Sequence, residues 1–210
     1  LTDNGNNTAT LSGTPSLAGT YPVELTVNDG NGGTATQSFD IELPSYYWVG
    51  GSGDWNDLSH WATSSGGSTN HTNVPSANDD VYFDVNSFSN TGQTVSISAG
   101  AADCKTMDWT GVTNAPAFSI LGNDLNIYGS LTFSPNMTVN ASSSDVYFKS
   151  TETGNTITFA GNKINDDVYF DGVGGSWSLQ DSITIGSTKK LTVTNGTLNT
   201  NSNSINTGSI

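Results

Sequence analysis

Short runs in which apolar and polar residues alternate recur along most of the chain, separated by clusters of Gly, Asn, Asp and Ser. Period two sends successive side chains to opposite faces, so each run predicts a half-buried β-strand bounded by turns. One run returns almost unchanged, as Asp80-Val81-Tyr82-Phe83, Asp145-Val146-Tyr147-Phe148 and Asp167-Val168-Tyr169-Phe170. The last two copies are 22 residues apart and the first two 65, close to three such steps. Further runs begin at Lys105, Leu125 and Leu191, which gives intervals of 24, 20, 21, 22 and 23 residues. Each interval holds a second alternating run, at 94–97, 118–120, 137–139, 156–159 and 183–185.

A period near 22 with two strands and two turns predicts one coil of a parallel β-solenoid. A lone coil cannot cover its own apolar positions. Stacked coils pair their main chains and align Val, Ile, Leu and Phe into ladders along the axis. About six coils at roughly 4.8 Å each make a shaft about 30 Å long, and the expected hand is right. The competing all-β architecture is a sandwich, whose strands also recur between turns. Recurrence of one phrase at multiples of one interval favours the solenoid.

The first residues follow another pattern. Tyr21, Val23, Leu25 and Val27 alternate, the stretch Asn28-Asp29-Gly30-Asn31-Gly32-Gly33 supplies a turn, and Phe39, Ile41 and Leu43 alternate again. That is a hairpin. The chain therefore divides into a spacer over 1–44, a Trp- and Gly-rich segment over 45–79 and a solenoid over 80–210, whose last coil reads as cut midway.

Two resemblances sharpen these expectations. Leu11-Ser12-Gly13-Thr14-Pro15, Ala18-Gly19-Thr20-Tyr21 and Val27-Asn28-Asp29-Gly30 resemble the second half of the immunoglobulin-like or cadherin-like modules of bacterial surface proteins. The resemblance implies a truncated half-module acting as a spacer. Trp48-Val49-Gly50-Gly51-Ser52-Gly53-Asp54-Trp55, then Trp61 and Val74-Pro75-Ser76-Ala77-Asn78-Asp79-Asp80-Val81, resemble the opening of β-helical regions in large secreted adhesin-like proteins of Bacteroidota. These include gliding-motility proteins exported by type 9 secretion. The implied setting is extracellular, at a cell surface, beside neighbouring domains of a longer chain.

Charge narrows the partners. Nineteen acidic residues face five lysines and no arginine, a formal net charge of -14. Nucleic acid and anionic membranes are poor partners for such a chain, and no apolar run is long enough for membrane insertion. The single cysteine, Cys104, excludes an internal disulfide and reads as a small buried residue.

Candidate chemistry is sparse. Trp48, Trp55 and Trp61 fit a cap over the open first coil. Alternatively they form a carbohydrate platform, with indoles stacking on sugars and Asp54 and His60 bonding hydroxyls. Asp79, Asp80, Asp166 and Asp167 could hold calcium or act as paired acids, although Asn-Asp-Asp before a strand is also turn chemistry. His60 and His71 lack partners at zinc spacing. The expectation is a non-enzymatic segment making multivalent contacts with surfaces or glycans, with no cofactor unless calcium. The alternatives are a dedicated carbohydrate-binding module and, after it, a polysaccharide-degrading β-helix enzyme.

Overall fold

Val146, Tyr147 and Phe148 lie directly beside Val168, Tyr169 and Phe170 in a parallel pair, so two copies of the recurring phrase stack in register. The same pairing continues from Ala102 through Leu125, Val146 and Val168 to Leu191, in steps of 23, 21, 22 and 23 residues. This is the solenoid, of about six turns. The computed structural model describes residues 2–6, 8–12, 19–28, 30–43 and 45–208. It divides into Leu1–Pro44 and Ser45–Ile210.

Each full coil of Ser45–Ile210 carries three strands, not the two expected. Face A is the stack just given. Face B runs from Tyr46 through Val81, Met107, Leu131 and Ile157 to Leu179. Face C stacks Val95, Phe118 and Val139. It resumes with Lys163–Ile164, Ile183–Ile185 and Ile205–Asn206. The strand 168–179 turns the corner between faces A and B without a break, so the two faces form one continuous sheet.

Three expectations are corrected by this register. The Asp80 phrase stacks on face B against Met107, one face away from Val146 and Val168. The run starting at Lys105 likewise belongs to face B, while Ala102–Cys104 fills face A of that coil. The run at 156–159 was expected in the second series with 94–97 and 118–120, but it stacks on face B between Leu131 and Leu179.

Alternation inside these strands builds the core. Val146 and Phe148 are buried while Tyr147 between them is not, and the same holds around Tyr169. Phe148 and Phe170 stack at 4.7 Å, and Phe170 meets Trp177 edge to face at 5.2 Å. Cys104 is buried in the same row, where burial pushes its thiol well up.

Corners are held by polar side chains reaching one coil along. The Asn162 amide donates to the Ser134 carbonyl at 2.9 Å, Asn114 to Phe88 at 2.6 Å and Asn201 to Leu179 at 2.9 Å. Carboxylates accept main-chain N–H groups in the same way: Asp124 from Asp145 at 3.0 Å, and Asp181 from Phe159 at 2.8 Å. Buried main-chain groups at a corner cannot use the sheet ladder, so a short polar side chain supplies the partner.

In Leu1–Pro44, Gly19–Asn28 and Thr34–Leu43 pair antiparallel along their whole length. Tyr21 faces Ile41, Val23 faces Phe39 and Val27 faces Ala35, which confirms the expected hairpin. Residues 13–15, 18 and 29, which carry part of the module resemblance, lie outside the described residues.

The A–B corner near Trp177 depends on glycine. A Cβ at Gly172 or Gly175 would run into the Ser150 carbonyl oxygen of the preceding coil. Gly172→Ala is therefore expected to destabilise the fold by about 1–3 kcal/mol, as overpacking against fixed backbone does. Urea unfolding checks this. An unchanged midpoint contradicts the close approach.

Candidate functional site

The Trp-rich segment folds into the N-terminal end of the solenoid. Tyr46–Trp48 takes the first position on face B, paired in parallel with Val81–Tyr82. Trp61–Ala62 runs antiparallel along its other edge. Asp57 starts the 3-10 turn Leu58–His60 by accepting the Ser59 N–H at 2.9 Å, and that turn leads the chain back to place Trp61. Gly53 sits under His60, where a Cβ would run into the imidazole.

Trp48, Trp55 and Trp61 all come together, and all are fully buried. Trp48 meets Trp61 edge to face at 5.1 Å, and Trp55 meets Trp61 likewise at 4.8 Å. Phe83 joins them and stacks on Trp109 at 3.7 Å, extending the aromatic cluster into the next coil. The Trp48 indole donates to the Gly51 carbonyl at 2.7 Å and that of Trp61 to the Trp55 carbonyl at 2.8 Å. Sugar stacking needs an open ring face, and these rings lie inside the core.

His60 closes the outer side of this cluster. Its ring stacks on Trp48 at 4.5 Å, and its Nδ1 lies 2.6 Å from the Val49 carbonyl oxygen, so Nδ1 carries a proton. His71 does the same beside it, stacked on Tyr46 at 3.5 Å with Nε2 3.2 Å from the Ser45 carbonyl oxygen. Asp54 binds protein groups too, accepting the Ser98 hydroxyl at 2.6 Å and the Ser98 N–H at 2.9 Å. Burial pushes the Asp54 carboxyl up, but these bonds and the Asn56 and Ala99 amides outweigh it and hold it below the usual range.

The two acidic pairs do not share a corner, although each precedes a copy of the recurring phrase. Asp79 and Asp80 lead into face B, whereas Asp166 and Asp167 lead into face A. Asp79 accepts the Ser76 hydroxyl at 2.6 Å, and Asp80 accepts the Thr106 N–H at 3.1 Å. Asp167 accepts the Lys190 N–H at 2.9 Å. Asp166 is buried, held by the Lys189 ammonium at 2.7 Å and the Ser144 N–H at 3.2 Å. Among the described residues, no three His, Cys, Asp or Glu side chains gather in a metal-binding group.

Outward-facing side chains on face A also stack. Asp103, Asn126, Tyr147, Tyr169 and Thr192 occupy successive coils. Asn126 donates to Asp103 at 2.8 Å, the Tyr147 and Tyr169 rings stack at 4.9 Å, and Lys149 lies 4.7 Å above Tyr147. Burial, followed by the charges of Asp145 and Asp124, pushes the Tyr147 phenol up to about 12. This row escaped the sequence reading, although the repeated Tyr of the recurring phrase signalled it.

No family profile matches the chain, and neither curated proteins nor solved structures gave a match. Among the described residues no helix is long and apolar enough to cross a membrane.

Trp61→Ala opens a cavity between Trp48, Trp55 and Phe83 and is expected to cost about 3–5 kcal/mol; a loss below ~1 kcal/mol in urea unfolding contradicts the packing. The Asp145 carboxyl is pushed up by burial and then by Asp124, Asp167 and Asp166, against a lowering hydrogen bond from the Tyr147 hydroxyl. A raised carboxyl contributes stability that is complete below its unfolded value near ~3.9 and is lost as pH rises through the folded value. Asp145→Asn is thus expected to melt higher than the parent at neutral pH and level with it near pH ~3. A gain of equal size at both pH values overturns the charge account.

Proposed function

We propose that this chain is a structural and adhesive segment of a large secreted or cell-surface protein. In this role the solenoid is a stiff shaft that displays repeated polar side chains for many weak contacts with surfaces or glycans. The observation that carries the proposal is the in-register stack of coils, in which the outward row of face A aligns polar and aromatic residues from coil to coil. The acidic side chains considered for catalysis are used to hold coils together, as with Asp166 on Lys189 and Asp167 on Lys190. A non-enzymatic role fits that use.

The Trp-rich segment acts as the N-terminal cap. Trp61–Ala62 covers the edge of Tyr46–Trp48 that would otherwise be free to pair with another chain, and the indoles fill the space above the first full coil. The hairpin of Leu1–Pro44 serves as a spacer toward neighbouring domains, in keeping with its resemblance to surface-protein modules. Capping by an antiparallel strand favours this assignment over a carbohydrate platform on the same tryptophans.

Bead adhesion tests the role. Beads coated with the chain are expected to hold to polysaccharide-coated surfaces about 10²–10⁴ times more strongly than single copies do in solution. Tight one-to-one binding by the soluble chain would instead indicate a dedicated binding module. Release of new reducing ends from the polymer would indicate an enzyme.

A further inference from the structure

Face C is interrupted. Thr138–Ser142 pairs with Ala117–Leu121 on one side, and Lys163–Ile164 pairs with Ile183–Ile185 on one side, but no ladder joins Thr138–Ser142 to Lys163–Ile164. The turn that enters Lys163–Ile164 carries Ala160 and Gly161 in left-handed backbone, with φ of 51° and 79°. Along this seam the facing edges of both strands have no ladder partners among the described residues. A groove of about 410 Å³ lies over it, lined by Thr138, Asn140, Asn162, Lys163 and Asn165 among others. On the far side of Lys163–Ile164 a second groove of about 430 Å³ shares Lys163 and adds Thr184 and Asn206.

We propose that this seam binds a neutral polysaccharide, laid along the solenoid axis across both grooves. The proposal rests on the adhesive role given above and assigns its glycan contact to one place. Elimination by chemistry leads to this occupant. Inserting a peptide strand would require the two flanking strands to stand about 9.6 Å apart, twice the usual spacing. They already approach within 8 Å between Cα atoms. Sugar hydroxyls need only hydrogen-bond reach. In the first groove an apolar ligand finds few exposed partners, because Met137 and Val139 of the lining are buried. A metal ion meets the positive Lys163, and a polyanion meets a chain of net charge -14. Hydroxyls both donate and accept, as do open main-chain edges and Asn amides, so a neutral sugar polymer satisfies the lining without burying a charge.

Lys163 strengthens the assignment. Lys189 is paired with Asp166, Lys105 lies 3.9 Å from Glu152, and Lys149 covers Tyr147. Lys163 and Lys190 are exposed with no ion pair among the described residues, but of the two Lys163 lines both grooves, with its three N–H groups left for hydroxyl oxygens. Each groove falls within the roughly 300–1,000 Å³ typical of ligand sites.

The test uses beads carrying the full 210-residue chain on plates coated with xylan, mannan, β-glucan or polygalacturonate. The parent is expected to adhere to at least one neutral polymer. A triple variant, Asn140→Ala, Lys163→Ala and Asn165→Ala, is expected to lose about tenfold in adhesion, equivalent to about 1.4 kcal/mol. All three side chains are exposed, so its melting temperature is expected to stay at the parent value. Thr138→Arg, which fills the groove without removing an amide, is a second route to the same loss. Full adhesion by both variants overturns the seam while leaving the adhesive role standing. Adhesion by the parent to no surface overturns both, and adhesion to polygalacturonate alone overturns the neutral-glycan assignment.

Discussion

Parallel main-chain pairing between one coil and the next is the interaction on which everything else depends. It fixes which side chains lie above one another, and so turns a weak repeat in sequence into continuous rows in space. Inward rows become the core, as Leu125, Val146 and Val168 show. Outward rows become stacked polar and aromatic surfaces, as Asn126, Tyr147 and Tyr169 show. The pairing constrains the corners as well, because every coil must turn with the same pitch while its buried main-chain groups stay bonded. Asn and Asp meet that need through side chains reaching one coil along, which accounts for their abundance in a chain with few helix formers.

Each departure from uniform stacking has a local physical cause and a local consequence. At the A–B corner, Gly172 and Gly175 let the chain pass the Ser150 carbonyl, and Trp177 fills the bend. At the N-terminal end the stack has no preceding coil, and Trp61–Ala62 pairs antiparallel where a parallel neighbour would have been. On face C the ladder stops beyond Thr138–Ser142, and a groove lies over the interruption. Two of these sites restore burial, and the third is the one to which the glycan contact is proposed.

How much of this was legible depended on strand length. Val146 and Val168 were placed correctly because three residues in each copy repeat the same inward and outward choices. Third strands were missed at Leu131–Thr132 and Lys163–Ile164, which are two residues long, too short for alternation to show, and at Ala102–Cys104, which lies directly before the run at Lys105 that was read as the first strand of its coil. The recurring phrase also misled at Val81: Asp-Val-Tyr-Phe suits an inward Val and Phe on either face, so it identifies a strand without identifying its face. Clustering of Trp48, Trp55 and Trp61 was readable from the Gly-rich spacing, but their burial was not. It depends on Phe83 and Trp109, which arrive from later coils. The seam left no hydrophobic signature, since it arises from a missing ladder.

Interstrand nuclear Overhauser contacts in the labelled full chain test the stacking most directly. The account predicts an unbroken series of parallel contacts linking Leu125, Val146, Val168 and Leu191, with Val81 connected to Met107 and not to Val146. Antiparallel contacts among those four residues, or a contact pairing Val81 with Val146, would contradict it.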